Sequence, residues 1–196
     1  LDMLGRSVEM LKELLEQLKP YKIPGIVVTI TNPADIVADY VRKGLGLERN
    51  RVFGTGTLLD TARLIRTLSE ESGVGRRSIQ AYSLGEHGDS SMIPFSSVTI
   101  GGLPFDAYDI SKEKVLEATR QIGMTIIEGK KSTEFGIGRA LTEMAACILR
   151  DEKKIMPASV LLQGEYGQHD VHCGVPCLIG KNGIEKIIEL PLTEEE

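Results

Sequence analysis

Apolar residues recur along this chain with a helical spacing in some stretches and in short strand-like runs in others. Their order divides the chain in two. Met10, Leu11, Leu14, Leu15 and Leu18 lie at helical spacing, which predicts a helix that stops at Pro20. Residues 26–30 form a short apolar, β-branched run, the mark of a buried strand. Thr31-Asn32-Pro33 breaks it, and Asp35 opens a helix with Ile36, Val37, Tyr40 and Val41 on one side. A second brief strand at 51–53 ends at Gly54-Thr55-Gly56, and a helix over about 57–71 runs up to Gly73. Helix–strand–helix–strand–helix is the order of a parallel α/β sheet.

Beyond Gly73 the rhythm changes. Strands are expected at 79–84 and 97–100, separated by the loop Gly85-Glu86-His87-Gly88-Asp89, and then two long helices at 112–130 and 133–150. The rest reads as strand, at 159–163, 171–179 and 184–190. Asn182-Gly183 between the last two predicts a hairpin with a type I′ turn, positive φ at both centres. The expected fold class is therefore α/β followed by α+β with antiparallel strands. No repeat, low-complexity stretch or flexible linker interrupts it. At its ends the chain opens directly into helix-forming sequence and closes on Thr193-Glu194-Glu195-Glu196, which reads as the capped first turn of a further helix; both ends are read as severed.

Composition narrows the function classes. The 196 residues are 41% hydrophobic and 26% charged, enough apolar material for a core. A net charge of -5, without basic patches, argues against nucleic acid or an anionic membrane as partner. The sequence holds no apolar run approaching the roughly 18 residues that span a bilayer. Three cysteines (Cys147, Cys173 and Cys177) in no scaffold-like spacing suit a reducing, cytoplasmic setting. His169, Asp170, His172, Cys173 and Cys177 crowd together near the end, but strand alternation would turn His169 and Cys173 one way and Asp170 and His172 the other, so no metal site is expected.

The residues suited to chemistry lie earlier. Asn32 follows a strand directly, where α/β folds place ligands, although Asn-Pro is also an ordinary turn. Asp60 and Arg63, three apart on one helix, share a face. They would serve as a surface pair contributing about 0.3 kcal/mol, or else divide their tasks, with Arg63 presenting its fork to a carboxylate and Asp60 turning to a histidine. His87 favours the second reading. It stands alone between glycines that let a ligand approach, and a general acid/base of this kind needs a carboxylate to fix its tautomer.

Three segments carry a specific resemblance. Thr31-Asn32-Pro33-Ala34-Asp35-Ile36 looks like a TNPxD motif, the run from Gly54 to Arg63 (GTGTLLDTAR) is similar to GSGTxLDTAR, and Gly85-Glu86-His87-Gly88-Asp89-Ser90 resembles GEHGDS. In this order and separation they resemble the L-lactate dehydrogenases of the lactate/malate dehydrogenase family, and the likeness continues through Gly174-Val175-Pro176-Cys177 to Thr193. The resemblance implies that residues 1–54 are the C-terminal remnant of a Rossmann-type dinucleotide-binding domain and 55–196 the substrate domain. It implies NAD as cofactor, reached by Thr31 and Asn32. His87 would be the acid/base at the substrate's C2 oxygen, Asp60 its partner and Arg63 the carboxylate anchor. Asn32 and Thr133 would help position the substrate. Pyruvate and L-lactate are the implied substrates, and a tetramer or dimer the implied assembly.

The departures matter as much. No G-x-G-x-x-G occurs; Gly54-Thr55-Gly56 and Gly136-Ile137-Gly138 meet Leu59 and Leu141 where the third glycine belongs. The family's mobile loop, whose arginine polarises the carbonyl, is absent too, so the chain alone is expected to be inactive. Malate or a branched 2-hydroxy acid is the runner-up substrate, and a non-catalytic oligomerising fragment the alternative from another class. Bacterial relatives that bind fructose 1,6-bisphosphate carry cationic side chains at positions held here by Ile65 and Gln80. No activation by that sugar phosphate is expected, although Arg66 lies near.

Overall fold

A computed structural model describes residues 2–88, 90–130 and 133–196. Helix α1 (Asp2–Leu18) turns Leu11 inward against Val37, Val41 and Val52, and Leu15, also buried, lies against Gly44. The expected stripe is narrower than predicted, because Met10 (63% exposed) and Leu14 (49%) face outward. Strand β1 (Val27–Thr29) leads to α2 (Ala34–Leu45), then β2 (Val52–Gly54) and α3 (Leu58–Ser72). β1 and β2 pair in parallel, as the order of elements predicts. β1 ends the strand order, which leaves it half-buried rather than the buried strand expected from its composition.

The parallel pair does not stand apart from the antiparallel finish. β2 joins β6 (Lys154–Gln163) through Gly54 and Ser159. β6 then pairs with β7 (His169–Gly180), and β7 with β8 (Gly183–Ile187). One five-stranded sheet results, in the order β1-β2-β6-β7-β8. Every residue of β6 from Met156 to Leu162 is buried, as a strand covered on both faces requires. One cover is α5 (Glu134–Leu149), whose Ala140, Met144 and Cys147 pack on Met156, Ala158, Val160, Leu162 and Val175; α2 also packs on β6 and β7.

A second core lies between α3, α4 (Lys112–Lys130) and a small sheet. That sheet joins β3 (Ile79–Gln80), β4 (Thr99–Ile100) and β5 (Leu103–Pro104). Leu64, Leu68, Ile79, Ile100, Phe105 and Val115 form its centre. The strand expected at 79–84 stops at Gln80 because α3 takes over its hydrogen bonds. Ser83 N–H donates to Thr61 Oγ1 (2.9 Å) and Thr57 Oγ1 donates to Ser83 O (2.6 Å), so that backbone needs no strand partner.

Two local expectations are corrected. Between β7 and β8 the positive φ falls on Gly183 (86°) and not on Asn182, so the turn is not type I′. A Cβ at Gly183 would lie 2.0 Å from Asn50 O, which explains glycine there by close approach as well as by φ. In β7, Asp170 adopts φ 55° where the register with β6 shifts. The irregularity breaks the alternation assumed for the His/Cys cluster: Asp170 is exposed and His172 buried. Among the described residues no three His, Cys, Asp or Glu side chains are grouped to hold a metal, and no helix is long and apolar enough to cross a membrane. Residues 193–196 are not helical, but Thr193 and Glu196 exchange the two bonds of a capping box. Thr193 N–H donates to Glu196 Oε2 (3.0 Å) and Glu196 N–H to Thr193 Oγ1 (3.3 Å).

Candidate active site

The first turns of α3 present Asp60 and Arg63, and the segment after Leu84 brings His87 to them. His87 Nδ1 lies 2.6 Å from Asp60 Oδ2, and Arg63 Nη1 donates to Asp60 Oδ1 at 3.0 Å. One carboxylate thus bridges a ring and a guanidinium. This is not the surface pair that spacing alone allows: the Asp60 and Arg63 side chains are only 17% and 15% exposed. Arg63 also lies against α4, where a Cβ at Gly123 would stand 3.1 Å from Nη1. Its remaining donors make no other hydrogen bond among the described residues.

Asp60 occupies one nitrogen of the His87 ring and leaves the other open. With Nδ1 held by Asp60, Nε2 is the free atom and has no protein partner among the described residues. The hydrogen bond to Asp60 raises the His87 pKa; burial opposes this, the charges of Asp60 and Asp35 add to it, and Arg63 works against it. On balance these effects favour the protonated ring more than in an isolated imidazole.

His87, Asp60, Arg63, Asn32 and Thr133 all line one cavity of about 340 Å³. Ile30, Leu59, Ile93, Leu116 and Ile137 supply apolar wall, the usual mix of a small-molecule site. Thr31 is exposed and not part of this lining. Of the motif residues, Asp89, Lys131 and Ser132 lie outside the described residues. Thr31 and Asn32, both exposed, follow β1 at its carboxyl end, the place where such sheets receive ligands. The glycine-rich segment that grips a dinucleotide's phosphates in such folds has no counterpart in the sequence.

Several contributors escaped the sequence. Asp35 accepts a hydrogen bond from His87 N–H (3.0 Å) and another from Ser159 Oγ (2.5 Å). Gly85 and Gly174 exchange two backbone bonds, 2.9 and 2.7 Å. Arg120 of α4 lines the cavity and donates to Ser91 O. Asp35 was within reach of sequence reasoning, as the last polar member of its motif; the others follow only from the tertiary pairing.

A histidine held by a carboxylate beside an arginine with donors to spare can exchange a proton with a small molecule and bind its carboxylate. Comparison with known proteins gives the family. A family model described as the lactate/malate dehydrogenase alpha/beta C-terminal domain matches residues 57–196, and the chain belongs to that family. Within it, the L-lactate dehydrogenase of Fusobacterium nucleatum is 44% identical over 205 residues, covering 100% of this chain and 64% of that protein. That of Mycoplasma pneumoniae is 43% identical over 202 residues, covering 100% and 65%. The L-lactate dehydrogenase of Clostridium thermocellum superposes with a TM-score of 0.93 at 31% identity, over 99% of this chain and 66% of that one. The malate dehydrogenase of Aeropyrum pernix gives 0.91 at 38%, over 100% and 66%. The chain thus spans less than two thirds of the length of the first two relatives.

Proposed function

We propose that this chain is the substrate-handling part of an NAD-dependent L-lactate dehydrogenase, active within a longer protein and inactive alone. The observation that carries the reading is the chain of contacts His87–Asp60–Arg63 on the wall of one cavity. In pyruvate reduction His87 gives the proton on Nε2 to the carbonyl oxygen, and in lactate oxidation it takes that proton back. Asp60 stabilises the imidazolium and fixes the ring so that Nε2 faces the cavity. Arg63 binds the substrate carboxylate through its fork and so sets which face of the carbonyl is presented. Asn32 and Thr133, which both line the pocket, help to position the substrate, and Thr31 with Asn32 meets the nicotinamide. When bound, NAD supplies or accepts the hydride.

The sign of the pH dependence follows from the raised His87 pKa. Pyruvate reduction needs imidazolium, so it falls as pH rises through that pKa, while lactate oxidation rises. The test is NADH oxidation with pyruvate by the full-length protein, compared with His87→Gln and Arg63→Lys. His87→Gln should lower kcat by about 10²–10⁴-fold, and Arg63→Lys should chiefly raise KM for pyruvate. Undiminished turnover in His87→Gln refutes the assignment.

A second reading is favoured by one observation, the likeness to a malate dehydrogenase at 38% identity. A substrate series of pyruvate, oxaloacetate and branched 2-oxo acids separates the two by kcat/KM.

A further inference from the structure

We infer that Asp35 is a positioning residue for the acid/base His87, holding its main chain from α2 while Asp60 holds its ring from α3. This rests on the function proposed above.

The segment around His87 is tied down at two points. Gly85 is locked to Gly174 of β7 by two backbone bonds. Two residues on, His87 N–H donates to Asp35 Oδ2 at 3.0 Å. The other carboxylate oxygen is held by Ser159 Oγ at 2.5 Å, and Ser159 is fully buried in β6, where it faces Gly54 of β2 and Gly174 of β7. Asp35 therefore links the acid/base loop to the buried centre of the sheet. A hydrogen bond from a backbone N–H to a charged acceptor is among the stronger kinds.

Burial alone would not place a carboxylate here. Desolvation raises the Asp35 pKa in spite of two donors, and neighbouring Glu86 raises it further. No lysine or arginine pairs with Asp35 among the described residues. The positive partner of its charge is the His87 imidazolium, which Asp35 favours through space. The ionisable groups around His87 are Asp60 and Arg63 on α3, Asp35 on α2, Glu86 beside it, and Arg120 lining the cavity from α4. Cys173 of β7, near Asp35, has its thiol pushed up to about 11 and remains neutral. Asp35 thus has two separable effects: hydrogen bonds that fix the loop, and a charge that favours the protonated ring.

The pair Asp35→Asn and Asp35→Ala separates them in the full-length protein. The Asn amide keeps both bonds, accepting from His87 N–H and donating to Ser159 Oγ, and loses only the charge. Three readouts apply: amide hydrogen exchange at His87, the imidazole titration by proton NMR (the chain has three histidines), and steady-state pyruvate reduction. In Asp35→Ala, His87 N–H should exchange about tenfold faster or more, and kcat should fall by about 10²-fold with KM for pyruvate little changed. Asp35→Asn should restore slow exchange and most of kcat, while the His87 titration midpoint drops. Overturning results are wild-type exchange in Asp35→Ala, or exchange in Asp35→Asn as fast as in Asp35→Ala. An unshifted midpoint in Asp35→Asn refutes the electrostatic half even if the Ala variant does not fold. Exchange and titration need no turnover, so a protein that ignores pyruvate would refute the proposed function and leave Asp35 to be judged on these two readouts.

Discussion

Replacing Gly174 by alanine tests the packing that sets the acid/base loop. The new Cβ would lie 2.4 Å from Thr57 Oγ1, 2.7 Å from its Cγ2 and 3.0 Å from its Cβ. Thr57 is fully buried, and its hydroxyl donates to Ser83 O at 2.6 Å. It has no free rotation to offer: turning the hydroxyl away leaves the Ser83 carbonyl unpaired at about 1–3 kcal/mol. Keeping it in place forces the strand outward, an overpacking cost of about 1–3 kcal/mol. The protein relaxes along the cheaper route, so the expected loss is about 2 kcal/mol, or a urea midpoint lower by about 1 M. Because Gly174 holds Gly85, the same shift moves His87 away from Asp60, and kcat should fall with stability. Thr57→Ala removes both clashing branches, so the double variant should be less destabilised than the sum of the singles by about 0.5 kcal/mol or more. A Gly174→Ala protein within about 0.5 kcal/mol of the parent, the range of a neutral surface change, refutes the reasoning.

Other positions give independent checks. His172 is buried and neither ring nitrogen makes a hydrogen bond among the described residues, although Nδ1 stands 3.4 Å from Asp39 Oδ1; burial pushes its pKa from 6.5 down to about 4 against the pull of Asp39. The unfolded chain takes up a proton that the folded one refuses, so stability falls as pH drops from 6.5 towards 4, by at most about 1.4 kcal/mol per pH unit; His172→Phe should flatten that slope in pH-dependent urea unfolding, and an unchanged slope counts against it. Glu165 is held at a pKa of about 2 by Arg49, which grips it through two bonds of 2.9 and 3.1 Å. With Arg49 partly exposed, Glu165→Gln should cost only about 1 kcal/mol at pH 7, and the difference should vanish as pH falls from 4.5 to 2; a gap that persists in acid means the loss is steric. Ile65 packs on the α3–α4 core and Arg66 is engaged with Glu70 at 2.8 Å, so fructose 1,6-bisphosphate should leave KM for pyruvate unchanged in the full-length enzyme, and a clear fall in KM overturns this.

The elements were legible wherever local chemistry decides them. Pro20 and Gly73 stop helices at the expected places, with Gly73 at φ 71°, and Asn32, Asp60, Arg63 and His87 from three motifs converge on one cavity. What was hidden depends on distant partners. The Gly54–Ser159 pairing joins residues 105 apart, which no periodicity reports, so the two halves read as separate folds although one sheet runs through both. The strand beyond Gln80 failed because Thr57 and Thr61 serve its backbone from another element. Asp170 defeated the alternation rule by one irregular residue. Asp35 was visible as a helix opener and a motif member, but its contacts need Ser159 from 124 residues away.

These hidden contacts share an origin. Ser159 and Gly174 are register partners on β6 and β7, and each reaches the acid/base segment by a different route. Gly174 does so through the backbone of Gly85, and Ser159 through the carboxylate of Asp35. The ring of His87, held from α3, is thus referenced twice to one cross-strand pair in the buried centre of the sheet. A loop bounded by glycines gains its definition from that pair rather than from its own sequence, because glycine supplies no side chain to pack. Substitutions at this pair should therefore lower kcat out of proportion to their effect on substrate binding, since Arg63, the proposed carboxylate anchor, stands on α3 and makes no hydrogen bond to either strand among the described residues.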